Sequence, residues 1–304
     1  MKFFKTPKIN FIGMRYISLT FSLFLMIAGI VAIAVKGPNY GIDFTGGILV
    51  QVSFDKDIRL DDIRKALESS SNLSFELQSI GDKGIIVRVK KTEKSQDEMS
   101  QSILSALQTQ FPGENIVVER TEYVGPAVGK HLAKQAVYAF IFVFLGIIVY
   151  VAFRFKSGLW GTIGVIALIH DVFGTFGLIV ILGKEIDLTL IAAFLTIAGF
   201  SINDTIVLYD RIRENMRLLA KESFGSVINS SINEVLSRTI ITSLTVFIVS
   251  MILLIFGGEV IHDFALTMVI GTTLGVYSSI FICAPLTYEW ERKKRDRFKK
   301  SLGK

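Results

Sequence analysis

The chain has 304 residues, of which 51% are hydrophobic, and a formal net charge of +6. With 24 phenylalanines and a mean hydropathy of +0.52, it is too apolar for an ordinary soluble domain of this length, so its composition indicates a membrane protein. A hydropathy window of about 19 residues finds several apolar runs, each long enough to cross a bilayer core of about 30 Å as a helix. The runs span residues 17–35, 132–153, 158–182, 188–209, 239–257 and 264–286.

The first apolar run has two interpretations, because it follows the basic segment MKFFKTPKINFIGMR. A cleaved secretory signal would use the small residues Ala32 and Ala34 at its cleavage site. The run from Ile17 to Val35 is longer than the apolar core of a signal, which typically has about 7–15 residues. We therefore interpret residues 17–35 as an uncleaved first span and residues 1–16 as a cytoplasmic N-terminus.

Basic residues distinguish the two sides of the membrane. The short flanks and loops on one side contain Lys2, Lys5, Lys8, Arg15, Arg154, Lys156, Arg211, Arg213, Arg217, Lys221 and the tail EWERKKRDRFKK. The short loops on the other side contain only Lys184. Because basic flanks stay in the cytoplasm, both termini are predicted to be cytoplasmic, with a basic tail at residues 287–304. Topology then explains the net charge without a nucleic-acid partner, although the tail also suits contact with anionic lipid or the ribosome.

Residues 36–130, between the first two apolar runs, are polar and are predicted to form one external domain. Its predicted elements are a strand at 48–54, a helix at 57–70, a hairpin at 75–90 that turns at Gly81–Gly84, a helix at 95–111 and a strand at 115–124. The order β-α-β-β-α-β predicts an α+β, ferredoxin-like domain on the side of the membrane opposite the termini. The other five spans are predicted to form a helix bundle over residues 131–286, in which Cys283 packs as a small apolar residue.

Small residues recur every three or four positions in two of the spans. They are Gly158, Gly161, Gly164, Ala167, Asp171 and Gly174 in the third span, and Thr267, Gly271, Gly275 and Ser279 in the sixth. Such spacing places the residues along one ridge of a helix and lets a second helix approach closely. Helix packing is therefore sufficient to account for these glycines.

Packing does not explain the ionisable residues inside the spans. His170 and Asp171 lie about 13 residues into the third span, which places them near the bilayer midplane by the helical rise. Asp204 lies about 16 residues into the fourth span, in its cytoplasmic half. An ionised Asp at a helix centre costs about 2.5–3.5 kcal/mol on the mildest scale, so these residues are predicted to face protein or water and to be functional. The structural alternatives are a capping or helix-pairing role for Asp204 and an interhelical hydrogen-bond donor for His170.

A basic partner is available for Asp204. Arg238 enters the fifth span from the cytoplasmic side, so its depth permits contact with Asp204. An acid beside a guanidinium ionises readily, whereas an acid left alone in apolar surroundings protonates, so separation of the two helices would drive proton uptake. Asn203, together with Ser201 and Thr205, is predicted to donate hydrogen bonds or to admit water around this switch.

The sequence disfavours nucleotide binding, metal binding and hydrolysis, because the motifs for these functions are absent or have the wrong spacing. The sequence GPAVGKH at residues 125–131 has too few residues between its glycines for a phosphate-binding loop, and His131 stands where Ser or Thr must hold magnesium. The chain contains no HExxH or GxSxG motif, so a metal site or a hydrolase is not expected. Asp171 and Asp204 would nominally serve an intramembrane aspartyl protease, but the presence of Arg238 favours charge switching.

Several motifs together resemble one known family. In chain order they are GIDFTGG at 41–47, VGPAVG at 124–129, YVAFRF at 150–155, ALIHD at 167–171, IDLTLIAAFLTIAGFSINDTIVLYDRIREN at 186–215 and SRTIITS at 237–243. The set resembles SecF, the smaller membrane subunit of the bacterial SecDF protein-export complex, which is related to the resistance-nodulation-division transporters. The resemblance extends from the first span to the sixth, and no segment resembles the larger SecD half.

The resemblance implies a function and a set of partners. It implies a multi-pass protein of the bacterial inner membrane, without enzymatic activity or cofactor, that uses the proton gradient, or sodium in some relatives, to assist late-stage polypeptide export. The implied partners are SecD, the SecYEG channel, YajC, YidC and the exported polypeptide. The family's membrane acid and arginine fall on Asp204 and Arg238, which act with an aspartate from SecD. His170, Asp171 and Asn203 are assigned to the same proton pathway.

Two further questions stay open at the level of sequence. The stretch GPNYGIDFTGG, with Asp43, Gly46 and Gly47, is either a hinge between span and domain or a turn-rich lead-in to a strand. A proton-coupled exporter of small molecules or lipids would use the same membrane acids, but usually has two six-span halves and larger external domains. A passive assembly factor would keep the glycine ridges but would not need Asp204 and Arg238.

Overall fold

The structure, a computed structural model, describes residues 7–56, 58–70, 75–80, 83–89, 95–155 and 158–302. Residues 1–6 and 303–304 of the predicted tails, Lys156 in a predicted loop and Gly81 in the predicted hairpin turn lie outside this set. The chain divides into two compact units. The first unit comprises Met1–Asn39, Ala139–Lys184 and Thr189–Lys304, and the second comprises Tyr40–Tyr138 and Glu185–Leu188.

One long helix is followed by a mixed region of short helices and strands, and then by the remaining long helices. The first elements are α1 (Arg15–Lys36), β1 (Asn39–Tyr40), α2 (Ile42–Thr45), β2 (Gly47–Ser53), α3 (Leu60–Ser70), β3 (Phe75–Ile80), β4 (Gly84–Val89), α4 (Gln96–Gln110) and β5 (Val117–Val124). They are followed by α5 (Pro126–Phe155), α6 (Gly158–Ile181), β6 (Glu185–Ile186), α7 (Leu188–Leu218), α8 (Phe224–Phe256), α9 (Glu259–Ser278), a π-helical turn (Ser279–Cys283) and α10 (Ala284–Leu302).

Six helices in the described residues are long and apolar enough to cross a membrane, which confirms the predicted number of spans. They are Ile12–Lys36, Pro126–Phe155, Gly158–Ile181, Leu188–Leu218, Phe224–Phe256 and Val260–Lys294. Several of these helices extend past the apolar runs. In α7 the extension contains Arg211, which forms ion pairs with Glu214 at 2.6 Å and with Glu234 at 2.5 Å. The protein is therefore a mostly helical, multi-pass membrane protein with a small sheet region.

The sheet of the second unit has the strand order β3-β4-β2-β5, and all neighbouring strands are antiparallel. Successive side chains of a strand point to opposite faces, so Ile48, Val50 and Val52 of β2 share one face. They are buried in a core with Ile63 of α3 and Leu107 of α4. The elements follow the order strand, helix, strand, strand, helix, strand, as the sequence predicts.

Close contacts between helices of the first unit occur at glycines. A Cβ atom on Gly177 of α6 would lie 2.7 Å from the Cα atom of Gly29 in α1, so only glycines fit at this crossing. A Cβ atom on Gly271 of α9 would overlap Ile197 of α7, which confirms the close packing predicted for the sixth span. Gly158 is different, because no described atom lies within 4 Å of its Cβ position. The ridge predicted for the third span therefore makes its tightest contact at Gly177, beyond the predicted residues.

The sixth span is interrupted by the π-helical turn at Ser279–Cys283. Pro285 follows this turn and has no backbone N–H, so the carbonyl of Phe281 loses its usual helical partner. The Ser18 hydroxyl of α1 donates to that carbonyl at 3.0 Å. A polar side chain on one span thus satisfies the backbone that a proline leaves unpaired on another.

Candidate functional site

Asp204 is buried in the middle of α7, where its side chain is 3% exposed. Ser201, Thr205 and Leu208 are buried on the same side of the helix, at the spacing that aligns residues along one face. The Asp204 carboxyl accepts one hydrogen bond, from the Ser243 hydroxyl of α8 at 3.2 Å. One of its two oxygens is therefore held by a neighbouring span.

Arg238 lies one and a half turns before Ser243 on α8, and its side chain is exposed. It is close enough to act electrostatically on the Asp204 carboxyl. In the described part of the chain, however, the Asp204 carboxyl is bonded to Ser243 and not to Arg238. The structure thus brings together the two residues that the sequence pairs, but with the guanidinium near the acid and not bonded to it.

Asp171 of α6 is fully buried and binds hydroxyls from two other spans. The hydroxyls of Ser201 in α7 and Ser278 in α9 both donate to its Oδ2 atom, at 2.5 Å and 2.6 Å. His170 Nδ1 lies 3.1 Å from the Oδ1 atom of the same carboxyl. Asp171 therefore joins α6, α7 and α9 through one side chain.

One face of α7 is connected to both acids. Ser201, which donates to Asp171, and Asp204 are three residues apart, which places them on the same side of the helix. Sequence reasoning named Ser201 but missed Ser243 and Ser278, the other hydroxyl donors. Both serines lie inside apolar spans next to other hydroxyl residues, so the sequence marks them as candidates but does not show which hydroxyl faces an acid.

His170 is buried with one nitrogen unpaired. Its Nε2 atom has no hydrogen-bond partner among the described residues. The ring lies 6.3 Å, centroid to centroid, from the ring of Tyr277, whose hydroxyl donates to the Ser18 carbonyl at 2.7 Å. The structural alternative for His170, an interhelical donor, therefore does not describe this structure, because among the described residues its polar contact is to Asp171 on its own helix.

Asn203 does not lie beside Asp204 in the structure. Its side chain is exposed, whereas Ser201, Asp204 and Thr205 are buried. Adjacent residues of an α-helix are rotated by about 100°, so neighbours in sequence point in different directions. Asn203 therefore points away from Asp204 within this chain, and its part in the proton pathway stays a prediction.

The residues of the glycine-rich stretch form a tight turn in the second unit. Gly46 has φ 70°, and a Cβ atom there would lie 2.8 Å from the Cα atom of Pro126, so glycine is required. Gly47 has φ 141° and begins β2. Asp43 accepts a hydrogen bond from the backbone N–H of Leu188, the first residue of α7, at 3.0 Å. The crowding at Gly46 favours the strand lead-in over the hinge.

Among the described residues, no group of three or more His, Cys, Asp or Glu side chains is placed to hold a metal ion. The described polar groups around Asp171 and Asp204 are serine hydroxyls, the imidazole of His170 and the nearby guanidinium of Arg238. Such groups bind and transfer protons, and they hold helices together.

Two family models match the sequence. "Protein export membrane protein SecD/SecF, C-terminal" matches residues 103–293, and "SecD/SecF GG Motif" matches residues 31–58. The second match contains the glycine turn at Gly46 and Gly47. The first contains Asp171, Asp204 and Arg238.

Relatives and solved structures agree with these matches. The protein translocase subunit SecF of Endomicrobium trichonymphae is 54% identical over 300 residues, which cover 98% of this chain and 96% of the relative. The SecF subunit of Thermodesulfovibrio yellowstonii is 40% identical over 91% of this chain and 93% of its own length. The crystal structure of SecDF from Thermus thermophilus, a translocon-associated membrane protein, matches with a TM-score of 0.84 and 35% identity. That match covers 94% of this chain and 39% of the SecDF chain.

Proposed function

The chain belongs to the SecF family of protein translocase subunits, and from that premise we propose that it couples the proton-motive force to late-stage polypeptide export. In this proposal it is an accessory subunit of the Sec translocase and works together with a SecD partner. It carries out transport and not an enzymatic conversion. Its source of energy is an ion gradient, of protons or of sodium, and it needs no cofactor.

The burial of Asp204 in a spanning helix, with one hydroxyl partner and a guanidinium nearby, carries this proposal. A charged carboxylate at membrane depth costs about 2.5–3.5 kcal/mol, and a nearby cation offsets that cost. Movement of α8 relative to α7 would therefore change whether Asp204 holds a proton. One charge that crosses 100 mV releases about 2.3 kcal/mol, which is comparable to the bias between two conformations of a protein.

The outer face of α7 supports SecD as the partner. Ala192, Thr196, Gly199 and Asn203 are exposed in a row along one side of this helix. Small and polar residues favour contact with another helix over contact with lipid. The matched SecDF chain is longer than this one, which corresponds to 39% of it. We propose that SecD packs on this row and contributes a further acid to the site.

The remaining assignments follow from the family and from the distribution of charge. We propose that the second unit is a ferredoxin-like periplasmic domain, supported by its strand order β3-β4-β2-β5 with two helices on one face. The basic flanks support cytoplasmic termini and a location in the bacterial inner membrane. SecYEG, YajC, YidC and the exported chain are proposed partners from the family resemblance alone.

The experiment that tests the proposal uses inverted membrane vesicles that contain the full chain, SecD and SecYEG. The variants Asp204→Asn and Arg238→Met are compared with the unsubstituted chain in proton flux and in gradient-dependent export. Both variants are expected to insert into the membrane and to co-purify with SecD. Both are expected to lose the gradient response by about tenfold or more, the scale of a lost functional charge pair.

Asp210→Asn is the matched control, because Asp210 is also an acid on α7 but is partly exposed and paired with Arg154 at 2.5 Å. It should leave the gradient response unchanged. The proposal fails if vesicles with Asp204→Asn still respond fully to the gradient. Equal losses in Asp204→Asn and Asp210→Asn would show a general effect of charge on α7 and would also contradict it.

A further inference from the structure

We propose that the connection between α6 and α7 transmits motion of α7 to the sheet of the second unit, with Arg88, Asp43 and Glu185 as positioning residues. The segment Glu185–Leu188 is itself part of the second unit. We call its contacts with Arg88 and Asp43 the α7 clamp. The inference rests on the proposed function, because it assumes that α7 moves when Asp204 changes its protonation.

The first contact of the α7 clamp is a buried ion pair. Arg88 on β4 is 5% exposed and pairs with the Glu185 carboxylate. Its Nη1 atom donates to Gln78 of β3 at 2.9 Å, while its Nε atom has no partner among the described residues. A buried guanidinium needs its carboxylate, because an uncompensated buried charge is strongly unfavourable. Glu185 is therefore held firmly against the centre of the sheet.

The second contact of the α7 clamp lies at the first residue of α7. The first N–H groups of a helix have no partner within the helix, and a carboxylate placed there is also favoured by the helix dipole. Asp43 accepts from the Leu188 N–H at 3.0 Å. A second hydrogen bond lies two residues before Asp43 and two residues before Leu188. There the Gly41 N–H donates to the Ile186 carbonyl at 2.9 Å. The start of α7 is thus bonded to the segment that leads into β2.

Both contacts reach the same part of the sheet. Arg88 lies on β4, and Asp43 precedes β2, which pairs with β4 so that Leu49 is opposite Arg88. The turn between Asp43 and β2 has little freedom, because Gly46 has positive φ and packs against Pro126. Leu188 is therefore connected to β2 and β4, the two central strands, through residues with little conformational freedom. A displacement of Leu188 would be passed on to these strands.

The helix connects this point to the membrane acid. α7 is continuous from Leu188 to Leu218 and contains no proline. Asp204 lies about 24 Å along the axis from Leu188, at 1.5 Å per residue. A shift or rotation of α7 at Asp204 therefore displaces Leu188, and the α7 clamp carries the displacement into the sheet.

The test separates proton flux from export in vesicles that contain the full chain, SecD and SecYEG. Glu185→Gln keeps the shape of the side chain and removes its charge. It should leave proton flux within about twofold of the unsubstituted chain but lower the gradient stimulation of export by about fivefold or more. Asp43→Ala should do the same, whereas Asp43→Asn should restore stimulation, because an amide oxygen also accepts from a helix N-terminus.

Glu122→Gln is the matched control, because Glu122 forms an ion pair with Arg120 on β5 of the same sheet, but both side chains are partly exposed whereas Arg88 and Glu185 are mostly buried. It should not alter the stimulation of export. Unchanged stimulation in Glu185→Gln and Asp43→Ala would overturn the inference, as would a loss of proton flux in both. If Glu185→Gln does not assemble with SecD, the comparison of Asp43→Ala with Asp43→Asn decides. A failure of the proposed function is distinguishable, because the unsubstituted chain would then show no response to the gradient.

Discussion

Asp171 and Asp204 are both buried acids on spanning helices, but their surroundings differ. Asp171 binds two serine hydroxyls on one oxygen and lies beside His170 on the other. Asp204 binds one hydroxyl, from Ser243. The exposed side chain of Arg238 on α8 acts on Asp204 electrostatically, without a hydrogen bond to it.

This difference distinguishes Asp171, which connects helices of the bundle, from Asp204, whose protonation can change with little effect on packing. Each hydrogen bond to Asp171 comes from a different helix or from its own, so its removal would affect three helices at once. A change of protonation at Asp204 alters one hydrogen bond and one electrostatic interaction. We infer that Asp171 is mainly structural and that Asp204 is the residue that changes state.

The largest expected effect on stability comes from substitution of Asp171. Asp171→Leu keeps a similarly branched side chain but leaves the hydroxyl of Ser201 without its acceptor and removes the contact of His170. Unpaired buried donors cost about 1–3 kcal/mol each, so the free energy of unfolding should fall by about 2–4 kcal/mol. Asp204→Leu should cost about 1 kcal/mol or less, because one hydroxyl loses its partner. Denaturant titration of the purified chain in mixed micelles measures both values.

An equal loss of stability in Asp171→Leu and Asp204→Leu would contradict the comparison. A matched control is available in Asp263→Leu, because Asp263 also follows a histidine but is partly exposed and pairs with Lys184 at 2.7 Å. It should cost less than Asp171→Leu, since exposed ion pairs contribute about 0–1 kcal/mol.

Much of the fold was predictable because it depends on local patterns. Six apolar runs of sufficient length predict six spanning helices, and period-two alternation in ILVQVSF predicts the central strand. The C-terminal end of α7 and the tightest glycine contact were not predictable. The extension of α7 depends on ion pairs of Arg211 with Glu234 on another helix, and the contact at Gly177 depends on where Gly29 of α1 crosses it.

The candidate site was predictable in its acids but not in its hydrogen bonds. The cost of burying charge identifies Asp171 and Asp204 from sequence, because an acid inside an apolar run must face protein or water and seldom lacks a role there. Their partners depend on how the helices rotate about their axes. The sequence therefore placed Asn203 beside Asp204, whereas the rotation of α7 exposes Asn203 and turns Asp204 towards Ser243.

An intermediate effect is expected when the two serine donors are compared. Ser201→Ala removes a hydroxyl that donates to a fully buried carboxyl at 2.5 Å, and it should lower the free energy of unfolding by about 1–2 kcal/mol. Ser243→Ala removes a longer hydrogen bond of 3.2 Å and should cost about 0.5 kcal/mol. The same denaturant titration measures both. A larger loss for Ser243→Ala would mean that Asp204, and not Asp171, is the structural acid.

The smallest effect is expected at His170, although this residue is buried against Asp171. His170→Phe removes the contact between Nδ1 and the carboxyl, which costs about 1 kcal/mol. It also removes the buried Nε2 atom that has no partner among the described residues, and this change is favourable by a similar amount. The two changes nearly cancel, so the free energy of unfolding should differ from that of the unsubstituted chain by less than about 1 kcal/mol.

His262→Phe is the matched comparison for this variant, because His262 Nδ1 lies 3.0 Å from Asp263 in the same sequence arrangement but at a partly exposed position. The Nε2 atom of His262 can be hydrated, and its Nδ1 contact is partly exposed. Loss of either group should therefore change the free energy of unfolding little. If His170→Phe destabilises the chain by about 2 kcal/mol or more, Nε2 must have a partner, and His170 then joins two helices as Asp171 does. If stability is unchanged but gradient-dependent export falls, His170 acts in proton transfer, and the polar cluster around Asp171 has a role in transport as well as in packing.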